Sequence, residues 1–344
     1  MPSLAVTIKD VARLAGVSPS TVSRVCNNNP AISRETRERV QQAIAELGYE
    51  LPTVADPPAI QAIKNIGIIL PPSDPENYEN TFYLKAIRGI SQVCNQRQVA
   101  STVITGKDYA ESLASVQTLH RSGSVDGFIL LYARTDDIII DYLCDAGLLY
   151  VVVGTPTELA DETICIDNDN MLAGREATDY LYNLGHRRIG YLGSKSDNRY
   201  AFDRRAGYQV SLLLHGLEYR PEFCVEMEGV GLDFGSELLA ILNRPDRPTA
   251  FVVSDDVLAM ALERVCARMK LSIPEDISII AFNNSLYAQL SSPQLTVVDI
   301  NSFRLGQEAA DQIINHAENP NLMTTRIIVP HRIVERNSCA KISE

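Results

Sequence analysis

Residues 17–27 read Val-Ser-Pro-Ser-Thr-Val-Ser-Arg-Val-Cys-Asn, and this stretch decides the first part of the fold. Ser18 can cap a helix from Pro19 to Cys26, because a serine side chain accepts a hydrogen bond from the first helical turn and proline is tolerated at the first helical position. The valines, Val22 and Val25, are expected to point inward. The outer side of this helix is polar and carries Ser20, Thr21, Ser23 and Arg24.

Two further helices flank this one. Thr7 can cap a helix that runs from Ile8 to Leu14, and Ser33 can cap another from Arg34 to Leu47. Two helices joined by a turn of about four residues with a glycine, here Gly16, have the helix-turn-helix spacing. The second helix of that motif enters the major groove of DNA. We therefore predict a small all-α head, residues 1–49, that binds double-stranded DNA.

The charge of the chain is divided unevenly, in agreement with such a head. The whole chain has 31 basic and 43 acidic side chains, a net charge of −12. The first 40 residues are nevertheless basic, with three acids, Asp10, Glu35 and Glu38, against six bases. The six are Lys9, Arg13, Arg24, Arg34, Arg37 and Arg39. DNA binding is therefore expected at the head and not over the acidic remainder.

Residues 50–65 contain three prolines, Pro52, Pro57 and Pro58, and are predicted to be a linker. From Ile66 onward, short apolar strands alternate with amphipathic helices, a pattern typical of buried parallel sheets covered by helices. We predict an α/β core, residues 66–344, of two doubly wound parallel-sheet subdomains. The first is expected at about 66–163 plus 294–322 and the second at about 164–293 plus 323–344. Two facing sheets form a cleft that can close on a small ligand.

The composition and the remaining motifs argue against other classes of protein. A chain of 344 residues that is 45% apolar and 22% charged is globular. It has no apolar run near the ~18 residues of a membrane helix, and no signal peptide, so we expect a cytoplasmic protein without membrane contact. The seven cysteines and five histidines lack the spacing of metal ligands. The glycines of residues 229–235 lie deep in the second half and fit a tight turn better than a nucleotide loop. No catalysis, cofactor or metal is expected.

Residues 7–25, Thr-Ile-Lys-Asp-Val-Ala-x-x-Ala-Gly-Val-Ser-x-x-Thr-Val-Ser-Arg-Val, resemble the head of the lactose/galactose-repressor (LacI/GalR) family of bacterial transcription regulators. The resemblance continues through Leu-Gly-His-Arg-Arg-Ile-Gly-Tyr-Leu-Gly at 184–193 and Pro-x-Asp-Ile-Ser-Ile-Ile-Ala-Phe at 274–282. Further segments look most like the maltose-operon repressors. These are Tyr-Glu-Asn-x-Phe-Tyr at 78–83, Arg-Gly-Ile-Ser-Gln-Val at 88–93 and Asp-Asn-Asp-Asn at 167–170.

The resemblance implies a homodimer whose two heads read a near-palindromic operator. The positions that it implies for DNA contact are Thr7, Ser18, Pro19, Ser20, Thr21, Ser23, Arg24, Asn27 and Ser33. Pro19 and Ser20 can make few hydrogen bonds to bases, so we expect operator choice to depend on Arg24 and on DNA shape.

The linker departs from the family pattern. Relatives have a short hinge helix ending in Ala-Arg-x-Leu, with a leucine that wedges into the minor groove. Here the same register reads Ala55-Asp56-Pro57-Pro58. The prolines lack the N–H groups that helical turns need, and an acid beside phosphates is unfavourable. Our hypothesis is a shortened or absent hinge helix.

The resemblance also implies a sugar site in the cleft. The implied positions are Phe82, Tyr83, Asp167, Arg204, Asp255 and Asn283. Relatives more often have Asn where this chain has Asp255 and Asp where it has Asn283. From the residues alone, Phe82 also fits a core aromatic, Arg204 a solvated charge cluster, and Asp255 and Asn283 turn residues.

We predict a transcriptional repressor whose operator affinity is controlled by a small sugar, with maltose or maltodextrin acting as the inducer. One alternative is a sugar-binding or sugar-converting protein with a vestigial head. The other is the same type of regulator with a different carbohydrate or a nucleobase as its effector.

Overall fold

The structure, a computed structural model, describes residues 7–26, 32–49, 63–72, 81–157, 161–194, 199–227 and 236–342. Ser20 and Arg24 belong to a described helix, but their side chains lie outside the description. Five residues that the sequence singled out also lie outside the described residues: Asn27 and the hinge residues Ala55, Asp56, Pro57 and Pro58. The hinge hypothesis therefore stays a prediction.

The head consists of α1 (Ile8–Ala15), α2 (Pro19–Cys26) and α3 (Arg34–Leu47). Val22 and Val25 of α2 point inward as predicted, and they pack against Val11 and Val40 in a small apolar core. Gly16 ends α1 in the left-handed conformation, with φ of 65°. A residue with a side chain adopts this conformation only at a cost, which explains why glycine starts the turn.

The described residues of the core form two six-stranded sheets. Its strands are β1 (Asn65–Ile69), β2 (Ala100–Ile104), β3 (Gly127–Leu130), β4 (Tyr150–Val153), β5 (Ile164–Asp167), β6 (Ile189–Ser194), β7 (Cys224–Met227), β8 (Ala250–Val253), β9 (Ser278–Phe282), β10 (Thr296–Asp299), β11 (Arg326–Ile328) and β12 (Arg332–Val334). Its helices are α4 (Thr81–Arg97), α5 (Tyr109–Arg121), α6 (Ile138–Asp145), α7 (Asn170–Asn183), α8 (Arg199–Leu214), α9 (Ser236–Leu242), α10 (Asp256–Arg268), α11 (Leu286–Leu290) and α12 (Ser302–Glu318). A 3-10 turn, Pro221–Phe223, precedes β7.

The first sheet has the order β11-β5-β4-β3-β1-β2, and the second has the order β12-β10-β9-β8-β6-β7. We call the layers around these sheets lobe one and lobe two. Helices α4 and α12 cover one face of the first sheet, while α5 and α6 cover the other. In lobe two, α7 and α8 lie on one face, and α9 and α10 on the other. The predicted doubly wound α/β architecture is confirmed, with β12 as an antiparallel edge strand.

The division of the chain between the lobes differs from the expected segments. Strand β5 pairs with β4 in the first sheet, and β10 pairs with β9 in the second. Strand β11 joins the first sheet beside β5. The crossings therefore follow Asp167, Asp299 and Ile328, at the carboxyl ends of these strands. Short apolar strands look alike in sequence, so the sequence pattern could not tell which sheet each one joins.

Each lobe contains a pair of helices in very close contact. An added Cβ on Gly89 of α4 or Gly306 of α12 would lie 2.1 Å from a backbone oxygen of the other helix. Gly174 of α7 and Gly207 of α8 make the equivalent contacts, at 2.2 Å and 2.0 Å. These glycines allow the helix backbones to touch, and any side chain there would force them apart.

Within these described residues, no helix has the length and apolar character that crossing a bilayer requires. The same part of the chain contains no group of three or more His, Cys, Asp or Glu side chains placed to hold a metal ion. The seven cysteines are free thiols.

Candidate functional site

All six residues predicted for a ligand site line one cleft between the lobes. Phe82 and Tyr83 belong to the first turn of α4, and Asp167 is the last residue of β5, so these three come from lobe one. Arg204, Asp255 and Asn283 come from lobe two. The cleft lies at the carboxyl ends of the parallel strands, where ligands bind in open α/β sheets.

Arg204 lies inside the protein and not in a solvated charge cluster. It is 3% exposed, and its guanidinium donates to Asn170 Oδ1 at 3.0 Å and to the Ser254 carbonyl at 2.8 Å. The guanidinium carbon lies 4.2 Å from the centre of the Phe282 ring. Burial lowers the pKa of Arg204, although the hydroxyls of Tyr200 and Tyr191 and the carboxylates of Asp255 and Asp167 oppose this shift. An Arg pre-oriented in this way can donate its remaining N–H groups to ligand oxygens.

Asp167 faces the same cleft from the opposite lobe. Its carboxylate accepts hydrogen bonds from Thr155 Oγ1 at 2.8 Å, the Asn168 N–H at 2.8 Å and Asn170 Nδ2 at 3.0 Å. Burial raises the pKa of Asp167, and the hydrogen bonds from Thr155 and Asn168 oppose the shift. Asn170 therefore connects Asp167 to Arg204, and an acceptor and a donor group are fixed on the two sides of the cleft.

Aromatic rings form the apolar part of the cleft. Phe82 and Tyr83 make an edge-on contact, with ring centres 5.3 Å apart. Phe82 also packs against the apolar cores of both lobes, so its role as a core aromatic is real and compatible with lining the cleft. Tyr132 and Tyr200 line the opposite walls. Burial raises the pKa of the Tyr83 hydroxyl well above its usual range, which keeps it a neutral donor.

Asp255 and Asn283 are turn residues and cleft residues at once. The Asp255 carboxylate caps α10 by accepting the Leu258 N–H at 2.8 Å. Asn283 follows β9 with φ of 87°, a left-handed conformation that asparagine tolerates better than most residues. Both side chains are buried at the cleft.

The sequence interpretation missed several cleft residues. These are Tyr132, Thr155, Asn168, Asn170, Arg199 and Tyr200. The Asp-Asn-Asp-Asn run at 167–170 contained the signal for Asn168 and Asn170, because polar residues clustered after a buried strand mark the ligand edge of a sheet. No comparable local signal pointed to Tyr132 or Thr155.

The cleft combines rings, amides, an acid and a buried guanidinium. This combination suits a polyhydroxylated ligand, whose hydroxyls both donate and accept. The cavity measures about 50 Å³. A cavity that accepts a benzene ring measures ~150 Å³, so a sugar ring requires this cleft to widen.

In the head, several predicted DNA-contact residues have clear local roles. Thr7 N–H and Oγ1 both donate to Asp10 Oδ2 at the start of α1, at 3.0 Å and 2.7 Å. Ser33 Oγ accepts the Thr36 N–H at 3.3 Å and so caps α3. Ser18 Oγ accepts the Thr21 N–H at 3.1 Å at the start of α2. Pro19, Thr21 and Ser23 are half-buried.

The start of α2 lies against the acidic surface of lobe one. Ser18 Oγ donates to Glu162 Oε1 at 2.5 Å. Lys9 is one of the six basic residues of the head but not one of its predicted DNA contacts. Its Nζ lies 3.7 Å from Asp141 Oδ2 and 3.6 Å from Asp145 Oδ2. We call Asp141, Asp145 and Glu162 the acidic face. Its Glu162 contacts the start of α2, which is the end that a helix-turn-helix presents to DNA.

Two sequence-family models match the chain. One, described as bacterial regulatory proteins, lacI family, matches residues 7–51. The other, described as periplasmic binding protein-like domain, matches residues 178–339. The chain is also 33% identical over 339 residues to the HTH-type transcriptional regulator MalR of Staphylococcus xylosus, with 98% of this chain and 99% of that protein covered.

Two solved structures are similar over most of their length. A transcriptional regulator CelR–cellobiose complex has a TM-score of 0.76 and 26% identity, covering 97% of this chain and 99% of that chain. A probable maltose operon transcriptional repressor from Staphylococcus has a TM-score of 0.73 and 27% identity, covering 80% and 97%. The relatives are regulators, in agreement with the expectation that this protein is not an enzyme. The chain therefore belongs to the LacI family of bacterial transcription regulators.

Proposed function

We propose that this protein is a transcriptional repressor that maltose or a maltodextrin releases from its operator. The observation that carries the proposal is the position of the cleft. Its donors and acceptors come from both lobes, and the crossings after Asp167 and Asp299 lie beside it. A ligand that bridges Asp167 and Arg204 favours one arrangement of the lobes, and only such a difference in affinity can shift a conformational equilibrium.

The DNA partner in this proposal is a near-palindromic operator bound by a homodimer, since a two-fold protein matches two half-sites. The proposed contacts are Thr7, Ser18, Pro19, Ser20, Thr21, Ser23, Arg24, Asn27 and Ser33. The basic charge of the head supports this assignment, because phosphate contacts require cations. An operator is part of the bacterial chromosome, so in this proposal the protein acts in the cytoplasm.

The choice of maltose is supported by the similarity to the probable maltose operon repressor. The similarity to the CelR–cellobiose complex favours a second candidate, a cellobiose-type disaccharide in the same cleft. Both are two-ring sugars, and the four aromatic side chains of the cleft, Phe82, Tyr83, Tyr132 and Tyr200, offer more than one ring-stacking surface.

The test is a binding titration of the full chain with labelled duplex DNA from the region upstream of its own gene. We expect specific binding at low salt, a weaker midpoint with maltose or maltotriose, and no change with ribose. A shift with cellobiose alone would replace maltose by the second candidate. Unchanged midpoints across the sugar panel would contradict induction, and no binding to any duplex would indicate a vestigial head.

The matched variant for DNA binding is Arg24→Ala. We expect it to lose most specific DNA binding, because one guanidinium provides the main bidentate base contact of the recognition helix. Its sugar affinity, measured by calorimetry, should remain that of the unmodified protein. Loss of both activities would indicate misfolding and not a role in recognition.

A further inference from the structure

The first turn of α12 has unsatisfied hydrogen-bond donors. Asn301 precedes the helix with φ of 55°, and its side chain makes no capping hydrogen bond. Among the described residues, the backbone N–H groups of Ser302, Phe303 and Arg304 have no acceptor. A helix of 17 residues with an open first turn has a partial positive charge there and attracts anions.

A buried hydroxyl group in the same place also lacks a partner. Ser302 is 2% exposed, and its Oγ makes no hydrogen bond. Ser302 lines a pocket together with Lys85, Arg88, Asp299 and Asn301. A buried hydroxyl without a partner costs free energy, and a bound acceptor would remove this cost.

Two cations of α4 border this pocket. Arg88 is exposed and makes no ion pair with a described residue, while Lys85 Nζ donates to the Asn284 carbonyl at 2.5 Å. The contact of Gly89 with the Phe303 carbonyl draws α4 against the start of α12. The Arg88-Gly89 pair thus places a guanidinium beside the first turn of α12. Arg88 does not line the sugar cleft, so sugar binding does not explain this position.

The one acid of the pocket already has cationic and polar partners. Asp299 Oδ1 accepts the Asn301 N–H at 3.0 Å. Asp299 Oδ2 accepts Asn284 Nδ2 at 3.1 Å and a guanidinium N–H of Arg332 at 3.5 Å. With Arg332 counted, three cations stand against one carboxylate, so the balance of charge around the pocket is positive.

We propose that this pocket binds the phosphate group of a small phosphorylated metabolite, as a second effector site separate from the sugar cleft. The phosphate oxygens accept from the open first turn of α12 and from Ser302 Oγ, while Arg88 and Lys85 balance the charge. The site joins α4 to the crossing between β10 and α12. Lys85 also donates to the Asn284 carbonyl, which follows β9 in lobe two. An anion that engages Lys85 competes with this contact between the lobes, and we therefore expect it to change sugar affinity.

The test measures binding of two probes, inorganic phosphate and glucose 6-phosphate, to the full chain by calorimetry at fixed ionic strength. We expect saturable binding of both at millimolar or lower concentration, tighter for the sugar phosphate. Arg88→Gln and Ser302→Ala should each weaken it, Arg88→Gln by about tenfold or more. Binding of inorganic phosphate as tight as that of glucose 6-phosphate would identify the free ion as the ligand and overturn the metabolite assignment.

The control variant is Arg304→Gln, which changes a cation in the same turn whose guanidinium pairs with Glu308 at 2.5 Å. It should bind phosphate like the unmodified protein. Absence of saturable binding, or equal binding by Arg88→Gln, would overturn the proposal. This test is independent of the proposed sugar response. That proposal would fail in the titrations with maltose and DNA, which contain no phosphate. Arg204→Lys should impair maltose binding and leave phosphate binding unchanged.

Discussion

The fate of Arg204 shows why a residue's neighbours in the chain are a poor guide to its environment. Asp203 and Arg205 flank it, so the local sequence resembles a solvated charge cluster. On α8, however, Asp203 pairs with Arg199 and Arg205 pairs with Glu226 on the outer side of the helix. Arg204 is turned inward, to the cleft. Residues one position apart on a helix do not share a face, and this periodicity separates the three charges.

Replacement of Arg204 by lysine should weaken sugar binding. Lysine keeps the charge but lacks the planar fork that holds Asn170 and the Ser254 carbonyl together. We expect a loss of about 1.5–3 kcal/mol in sugar binding, the range for hydrogen bonds to charged groups. Calorimetry with maltose measures it. Arg205→Lys is the matched control, and an equal loss in both variants would contradict the assigned role of Arg204.

Glu263 should make the stability of lobe two depend on pH. One of its carboxylate oxygens is buried without a partner, and burial raises the pKa from 4.5 to about 7. Below pH 4.5 the carboxyl is protonated in the folded and unfolded states alike. Between pH 4.5 and about 7 the unfolded chain is ionised while the folded chain keeps its proton, so stability falls with rising pH over this window and levels off above it.

Glu263→Gln should therefore raise the melting temperature above pH 7 and have little effect below pH 4.5. Thermal melts monitored by circular dichroism over this range measure the difference. Glu275→Gln, at an exposed position, is the control and should leave the profile unchanged. A constant offset for Glu263→Gln at every pH would show that its titration is not responsible.

At the scale of elements, the sequence predicts best what is decided locally. The bounds of α2 and α3 agree with the prediction because Ser18 and Ser33 cap these helices and glycines follow α1 and α3. The apolar runs likewise predicted where the strands lie in the chain. The sequence did not predict which strands pair with β5, β10 and β11, because pairing joins residues that are far apart in the chain. The register of Cys165 with Arg326 is an example of such a pairing.

The candidate site follows the same rule. Its six predicted residues stand where a strand ends or a helix begins, and the resemblance to a known family gave their positions. Tyr132 and Thr155 were missed because each follows a strand as a single polar residue between small or apolar neighbours, Leu131 and Ala133 for Tyr132 and Gly154 and Pro156 for Thr155. The assembly of these residues around one cleft depends on the facing of two sheets, which is a tertiary property.

Replacement of Gly174 by alanine should affect stability and ligand binding together. The added Cβ would lie 2.2 Å from the Arg204 carbonyl oxygen, so α7 and α8 must separate. Overpacking of this kind costs about 1–3 kcal/mol, and displacement of α8 moves the Arg204 guanidinium. Thermal melts and maltose calorimetry should both show a loss. Met171→Ala, an exposed change on α7, should show neither, and unaltered sugar affinity in Gly174→Ala would contradict the coupling.

At the scale of the whole molecule, the head and lobe one have opposite charge, and they touch. Glu162 of the acidic face accepts from Ser18 at the start of α2, where DNA is expected, and Asp141 and Asp145 pair with Lys9 of α1. In this arrangement, carboxylates occupy the place that phosphates take in a complex. DNA binding then requires the head to leave the acidic face, and the contact competes with the operator.

Neutralisation of the acidic face should strengthen operator binding. The matched pair of variants is Glu162→Gln and Asp161→Asn, which remove the same charge at adjacent positions, although only Glu162 contacts Ser18. We expect about two- to fivefold tighter DNA binding for Glu162→Gln, in keeping with a part-buried polar pair near the surface. Anisotropy titrations at low salt measure it. If Asp161→Asn tightened DNA binding equally, the cause would be a general loss of negative charge and not the contact between Glu162 and Ser18.

The three crossings between the sheets also affect how the chain folds while it is being synthesised. Neither lobe is one continuous piece of chain, and each sheet receives an edge strand, β11 or β12, only after α12. On a ribosome, both lobes remain unfinished until nearly the same moment, because β11 and β12 are the last strands to emerge. Because β11 and β12 are only a few residues apart in the chain, the two lobes are expected to complete their folding together and not one after the other.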